Sequence, residues 1–182
     1  MRLRRTSIAG VYVVELAPIE DERGFFARSY CTRTFEEAGL EAVTAQANIA
    51  FNRRAGTVRG LHYQVPPHGE AKLVRCTRGR VFDVAVDLRG GSPTYLQHVG
   101  LELDPEARRA LYVPAGCAHG YVTMSDDSEV TYQVSAYYAP GAEGGLRWDD
   151  PRLAIPWPTP VAVSSDKDAA WPLIDEVGAP AL

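Results

Sequence analysis

Short β-branched runs, cut by turn signals at close intervals, constrain this chain more than any other feature. Residues 11–16, 73–76, 81–88, 98–103, 110–113, 120–124 and 129–135 have the length and composition of strands. Turn chemistry separates them at Asp21-Glu22-Arg23-Gly24, Arg78-Gly79, Arg89-Gly90-Gly91-Ser92-Pro93, Asp104-Pro105 and Pro114-Ala115-Gly116. Strands this short and this regularly interrupted predict a mostly antiparallel sandwich or barrel. Within 81–88, Phe82, Val84, Val86 and Leu88 share one face, while Asp83 and Asp87 fall on the other. One face is therefore core, and the other carries carboxylates that need partners.

Helical signal is thin. Thr32 or Thr34 could cap a short helix through Phe35-Glu36-Glu37-Ala38 that stops at Gly39, and Asp104 could cap a turn through Glu106-Ala107-Arg108. Beyond Tyr138, Trp148, Trp157 and Trp171 sit among proline steps and predict an irregular C-terminal wrap. With 182 residues, one domain spanning 1–182 is expected.

The net charge of −4 and pI near 5.6 argue against a surface built for nucleic acid or anionic lipid, so any bound anion must be held by local arginines. Cys31, Cys76 and Cys117 are widely spaced and include no CxxC pair, which points to a reducing cytoplasm and away from a disulfide framework or structural zinc. The basic opening MRLRR leads into a short apolar stretch broken by Glu15, with no A-x-A site, so no signal peptide is expected. No apolar run approaches membrane-spanning length.

Of the four histidines, His68 and His98 carry no supporting pattern and read as structural or surface residues. His62 lies in Thr57-Val58-Arg59-Gly60-Leu61-His62-Tyr63-Gln64, where an arginine and a glycine leave room for an anion beside an imidazole. His119 sits in Pro114-Ala115-Gly116-Cys117-Ala118-His119, which resembles the second half of the cupin barrel signature, P-x-G-x-x-H. Metal-binding cupins also use an H-x-H pair. Here Tyr63 and Gln64 follow His62, so the pair is absent and no metal site is expected.

Eight motifs, in order and spacing, resemble one family across nearly the whole chain: DERGFF from Asp21, GTVRGLHYQ from Gly56, AKLVRCTRG from Ala71, VFDVAVDLRGGSPT from Val81, PAGCAHGY from Pro114, TYQVSAYY from Thr131, WDDP from Trp148 and SSDKD from Ser164. They are similar to those of the dTDP-4-dehydrorhamnose 3,5-epimerases, the RmlC-type cupins. The resemblance implies a mainly β, cupin-type antiparallel barrel or jelly roll with a few short helices. It also implies a homodimer paired through an exchanged strand, and epimerisation at C3 and/or C5 of a dTDP-4-keto-6-deoxyhexose without a cofactor.

The chemistry needs a base in reach of an acidic C–H beside a ketone, a cation at the developing enolate, and an acid on the opposite face. By the resemblance, His62 is the base, Asp168 orients it, Lys72 is the cation and Tyr132 is the acid. Tyr138 is a rival to Tyr132, and Asp83 is a second choice for the orienting carboxylate that also lines the site. Arg23 and Arg59 match diphosphate contacts, Gln46 and Asn48 match residues reaching nucleotide and sugar, and His119 matches a substrate contact. Apart from the resemblance, Lys72 reads as a solvated lysine, Tyr132 as a half-buried strand tyrosine, Asp168 as a cap in an irregular tail, and Gln46 and Asn48 as polar groups closing a loop.

The chain departs from the pattern in three places. Arg28 stands where the family carries a glutamate near the base, Asn48-Ile49-Ala50-Phe51-Asn52 lacks the usual serine, and Cys117 replaces a phenylalanine. These departures leave the nucleotide open, and the motifs do not separate a double epimerase from a single-site one. Two further readings are a nucleotide-sugar 3,4-ketoisomerase, which relies on the missing histidine pair, and a sugar-nucleotide-binding cupin without activity, which would not need the base, carboxylate, cation and acid together.

Overall fold

The structure, a computed structural model, describes residues 1–178 and 182. Its strands are β1 (Arg2–Arg5), β2 (Tyr12–Glu15), β3 (Ile19–Asp21), β4 (Gly24–Phe26), β5 (Gln46–Asn52), β6 (Val58–Gln64), β7 (Lys72–Arg78), β8 (Val81–Asp87), β9 (His98–Leu103), β10 (Arg109–Val113), β11 (Cys117–Thr123), β12 (Ser128–Val134) and β13 (Glu143–Gly145). The helices are α1 (Thr32–Glu37), α2 (Asp166–Ala169) and α3 (Ile174–Val177). A six-stranded sheet runs β1-β2-β10-β7-β12-β5 and a five-stranded sheet runs β13-β6-β11-β8-β9, with β3 and β4 forming a separate hairpin. The named strands pair antiparallel throughout. This is the mainly β, cupin-type double-sheet barrel expected from the motifs. No helix among the described residues is long and apolar enough to cross a membrane.

Alternation along β7 and β8 sorts the side chains into three layers. Val74, Cys76, Val81 and Leu103 meet Tyr121 and Val130 between the sheets, and Ala85, Leu111, Val113 and Cys117 join Ile8 and Val11 in a second inter-sheet cluster. On the far side of the six-stranded sheet, Phe35 of α1 packs on Ala71, Leu73 and Tyr112. On the far side of the five-stranded sheet, Leu146, Leu153 and Ile174 cover Leu61, Tyr63, Val84 and Val86. Each fully buried side chain of this kind contributes about 1.5–3 kcal/mol relative to exposure. The C-terminal wrap therefore supplies an outer core layer, and β8 is covered on both faces.

The carboxylates of β8 are buried inside the barrel. Asp87 accepts from Arg89 through Nε (2.8 Å) and Nη2 (2.9 Å), and from the hydroxyls of Ser92 (2.5 Å) and Thr94 (2.6 Å). The Gly-Gly-Ser-Pro turn thus closes around one carboxylate. Burial alone would push the Asp87 carboxyl up, but these donors hold it down at about 2.

Several expected elements differ in detail. The α1 N-cap is Cys31, without a side-chain capping bond, so neither Thr32 nor Thr34 caps the helix; Gly39 ends the turn at φ 70°. Asp104 accepts the Ala107 amide at 2.6 Å and closes a turn that does not extend into a helix. Gln46 and Asn48 lie in strand β5, not in a loop. The C-terminal wrap contains α2 and α3, and Ser165 caps α2 by accepting the Asp168 amide at 3.0 Å.

Candidate active site

One inserted residue in β6 builds the first wall of the site. His62 pairs with His119 and Arg59 with Tyr121, so β6 spends three steps where β11 spends two, and Gly60 is the bulge. The bulge breaks strict alternation and turns Arg59 and His62 toward the same cavity. Only glycine serves there: its φ is +131°, and a Cβ would sit 2.5 Å from the Gly120 Cα.

The bulge also anchors the carboxylate behind the imidazole. His62 Nε2 lies 2.6 Å from Asp168 Oδ1, and the Gly60 amide donates to Asp168 Oδ2 at 3.3 Å. Burial raises the Asp168 carboxyl, but the His62 contact, the Gly60 amide and the Ser165 hydroxyl outweigh it and leave the group below its ordinary value. An ionised carboxylate accepts only. Nε2 therefore donates, and in the neutral imidazole the lone pair is on Nδ1. Trp171 stands edge-on to the His62 ring at 6.3 Å between centroids.

A second dyad lies beside the first, since His119 Nε2 is 2.7 Å from Asp83 Oδ1. Each imidazole thus has its own carboxylate contact, Asp168 on His62 and Asp83 on His119. Asp83 stands behind His119 and is absent from the cavity lining, and its Oδ2 is buried without a partner among the described residues. No three His, Cys, Asp or Glu side chains gather as a metal-ligand set among the described residues.

Two cavities, of about 350 and 240 Å³, adjoin at His62, Lys72 and Tyr132, which line both. Gln46, Asn48, Glu70, Tyr138 and Glu143 line the first, and Arg59, His119, Tyr121, Lys167 and Asp168 line the second. His62 belongs to the five-stranded sheet, whereas Lys72 and Tyr132 belong to the six-stranded one, so the imidazole faces the other two groups across the barrel. The Tyr132 hydroxyl makes no hydrogen bond within the described chain. Burial raises its phenol above the ordinary value, opposed by the charge of Arg59 and reinforced by Glu70. Tyr138, in contrast, is exposed and gives its hydroxyl proton to Glu143 Oε2 at 2.6 Å, an oxygen shared with Lys167 Nζ at 2.6 Å.

The other expected site residues divide into two groups. Gln46 Oε1 accepts the Tyr138 amide at 2.8 Å, and Arg59 donates through Nε to Asn52 Oδ1 at 2.8 Å beside Tyr121. Arg23 is not in the cavity of its own chain. It sits on the exposed β3–β4 hairpin and pairs with Asp21 at 2.5 Å. His68 and His98 line neither cavity. Cys117 is a wall residue whose thiol burial pushes up to about 12. Glu70, Glu143 and Lys167 were not singled out from sequence; Lys167 lay inside the SSDKD motif, and Glu70 two residues before Lys72, but isolated charges carry no signal of burial.

An imidazole, an opposing phenol and a lysine amine lining one space can move protons on and off a carbon beside a carbonyl. Comparison with known proteins gives the same direction. The profile of the family described as dTDP-4-dehydrorhamnose 3,5-epimerase matches residues 5–176. The chain is 43% identical over 173 residues to the dTDP-4-dehydrorhamnose 3,5-epimerase of Salmonella typhimurium, covering 94% of each chain. It is 44% identical over 169 residues to a dTDP-4-dehydrorhamnose 3-epimerase of Streptomyces niveus, covering 92% of this chain and 81% of that one. The crystal structure of the 3,5-epimerase from Elizabethkingia anophelis superposes with a TM-score of 0.94 at 40% identity, covering 97% of both chains.

Proposed function

The chain belongs to the dTDP-4-dehydrorhamnose 3,5-epimerase family, and from that premise we propose how its residues carry out the reaction. It is an isomerase that inverts carbon next to the C4 ketone of a dTDP-4-keto-6-deoxyhexose, at C3, C5 or both. His62 Nδ1 removes the proton, with Asp168 holding the ring and balancing the imidazolium. Lys72 faces the developing enolate oxygen, and Tyr132 returns a proton from the opposite face. The observation that carries this reading is the meeting of the two cavities at His62, Lys72 and Tyr132, with base and acid on facing sheets. Tyr132 is favoured over Tyr138 as the acid because its hydroxyl is unengaged, whereas Tyr138 is tied to Glu143.

Arg59, Gln46, Asn48, Tyr138 and His119 bind substrate, with Arg59 on the diphosphate. Asp83 acts through His119. The protein works as one domain in the cytoplasm, as a homodimer that needs no nucleic acid, membrane or cofactor. Support for the dimer comes from apolar surface: Ile49, 70% exposed, and Phe51 lie on β5 at the sheet edge, while Ile19, Phe25 and Phe26 stand exposed on the β3–β4 hairpin. In such a dimer Arg23 serves the cavity of the second copy, since it lies outside its own.

Proton NMR of dTDP-4-keto-6-deoxyglucose with the enzyme in deuterated water tests the reading. Loss of signal at C3 and C5 means double epimerisation, and loss at one carbon means a single-site enzyme. No exchange at either carbon overturns it.

A further inference from the structure

Glu70, like Glu143 and Lys167, is a charged group of the cavities to which the reaction above gives no role, and of the three it is the one paired with Lys72. It precedes β7 by two residues, and in extended chain residues i and i+2 point to the same side, so Glu70 and Lys72 enter the cavity together. Glu70 Oε1 lies 3.2 Å from Lys72 Nζ, with side chains only 12% and 10% exposed. Neither side chain has another ionic partner among the described residues. An ammonium on a flexible side chain samples many positions unless a fixed counter-charge holds it, and a carboxylate two residues before it is such a charge.

We propose that Glu70 is a positioning residue of the epimerisation: it holds the Lys72 ammonium at the cavity wall and sets the field in which the Tyr132 hydroxyl gives up its proton. The proposal rests on the roles given to Lys72 and Tyr132 above. Glu70 is one of several charges around that phenol. Arg59 and His62 face it from β6, His119 and Tyr121 from β11. Lys167 and Asp168 reach the cavity from α2, Glu143 from β13, and Lys72 from β7. Among them Arg59 favours the phenolate and Glu70 opposes it. Removing Glu70 therefore leaves burial of the phenol to oppose Arg59 without the carboxylate's help, and the hydroxyl ionises at lower pH.

The test uses three variants of the full chain, with solvent exchange at the substrate carbon and product inversion followed separately across pH. Glu70→Gln keeps an acceptor for Lys72 and removes the charge, so the alkaline limb of inversion moves to lower pH while that of exchange stays in place. Glu70→Ala also frees the ammonium, and exchange falls by about tenfold to a hundredfold in kcat with little change in KM. Lys72→Ala abolishes exchange. If Lys72→Ala loses exchange while both Glu70 variants match the parent rates and pH profile, Glu70 has no such role. If Lys72→Ala keeps exchange, the assignment of Lys72 is wrong and this inference falls with it.

Discussion

Tyr132 and Tyr138 stand six residues apart on one segment, yet their hydroxyls have different freedom. Tyr138 has committed its proton to Glu143, and Tyr132 presents its own to the cavity without a partner. Tyr132→Phe is therefore expected to leave exchange at the first carbon within a few-fold and to lower inversion by about 10²–10⁴, the usual worth of a general acid. Tyr138→Phe, which disturbs binding, changes both in parallel. NMR exchange compared with product configuration reads the difference; equal loss of exchange and inversion in Tyr132→Phe would give that tyrosine another task. The roles proposed for His62, Lys72, Tyr132 and Asp168 came from the motifs alone, because an isolated lysine or aspartate has a bland reading as good as its chemical one. What the motifs did not contain was pairing: Asp83 and Asp168 were both candidates for His62, and the choice depends on contacts 106 residues apart in sequence. Glu70 and Glu143 escaped notice for the same reason.

At the level of elements, the bulge in β6 decides where the site's side chains point. A Cβ at Gly60 meets the neighbouring strand at 2.5 Å and is strained at φ +131°, so Gly60→Ala is expected to destabilise the fold by about 1–3 kcal/mol. Exchange activity should fall much further, since the bulge aims both Arg59 and His62. Gly39→Ala is the contrast: its φ of +70° is strained, but nothing lies within 4 Å of the added methyl, so thermal stability drops and kcat stays. Chemical denaturation and kcat for the pair check this; full activity in folded Gly60→Ala would remove the bulge from the mechanism. Strands rich in valine, such as β8, were evident from alternation, with ends displaced by a residue or so. β5 and β6 were not, because Gln46, Asn48, Arg59 and Gly60 break the apolar pattern where the strands face a polar cavity.

Across the whole molecule, acid stability should follow the buried carboxylates. Asp87 has a folded value near 2 against an ordinary 3.8, so its contribution is complete above pH 3.8 and is lost as pH falls toward 2, amounting to about 2 kcal/mol. Asp168 is lowered in the same sense, and its share likewise disappears below pH 3.8. Asp87→Ala, which strands Arg89, is expected to lose roughly 3–5 kcal/mol at neutral pH and to show a flatter acid dependence than the parent. Urea unfolding at pH 6 and pH 2.5 measures both; an unchanged slope in the variant would mean that another group governs acid unfolding. The two-sheet barrel was readable from turn spacing, whereas the outer core layer formed by the C-terminal wrap was not, since tryptophans between prolines have no period to read. That barrel sets His62 opposite Tyr132 and Lys72, and the most direct test of the arrangement is deuterium exchange into dTDP-4-keto-6-deoxyglucose by His62→Ala, with nucleotide-sugar affinity measured on the same sample. Loss of exchange at every carbon with affinity largely retained is the predicted result; exchange at the parent rate would contradict it.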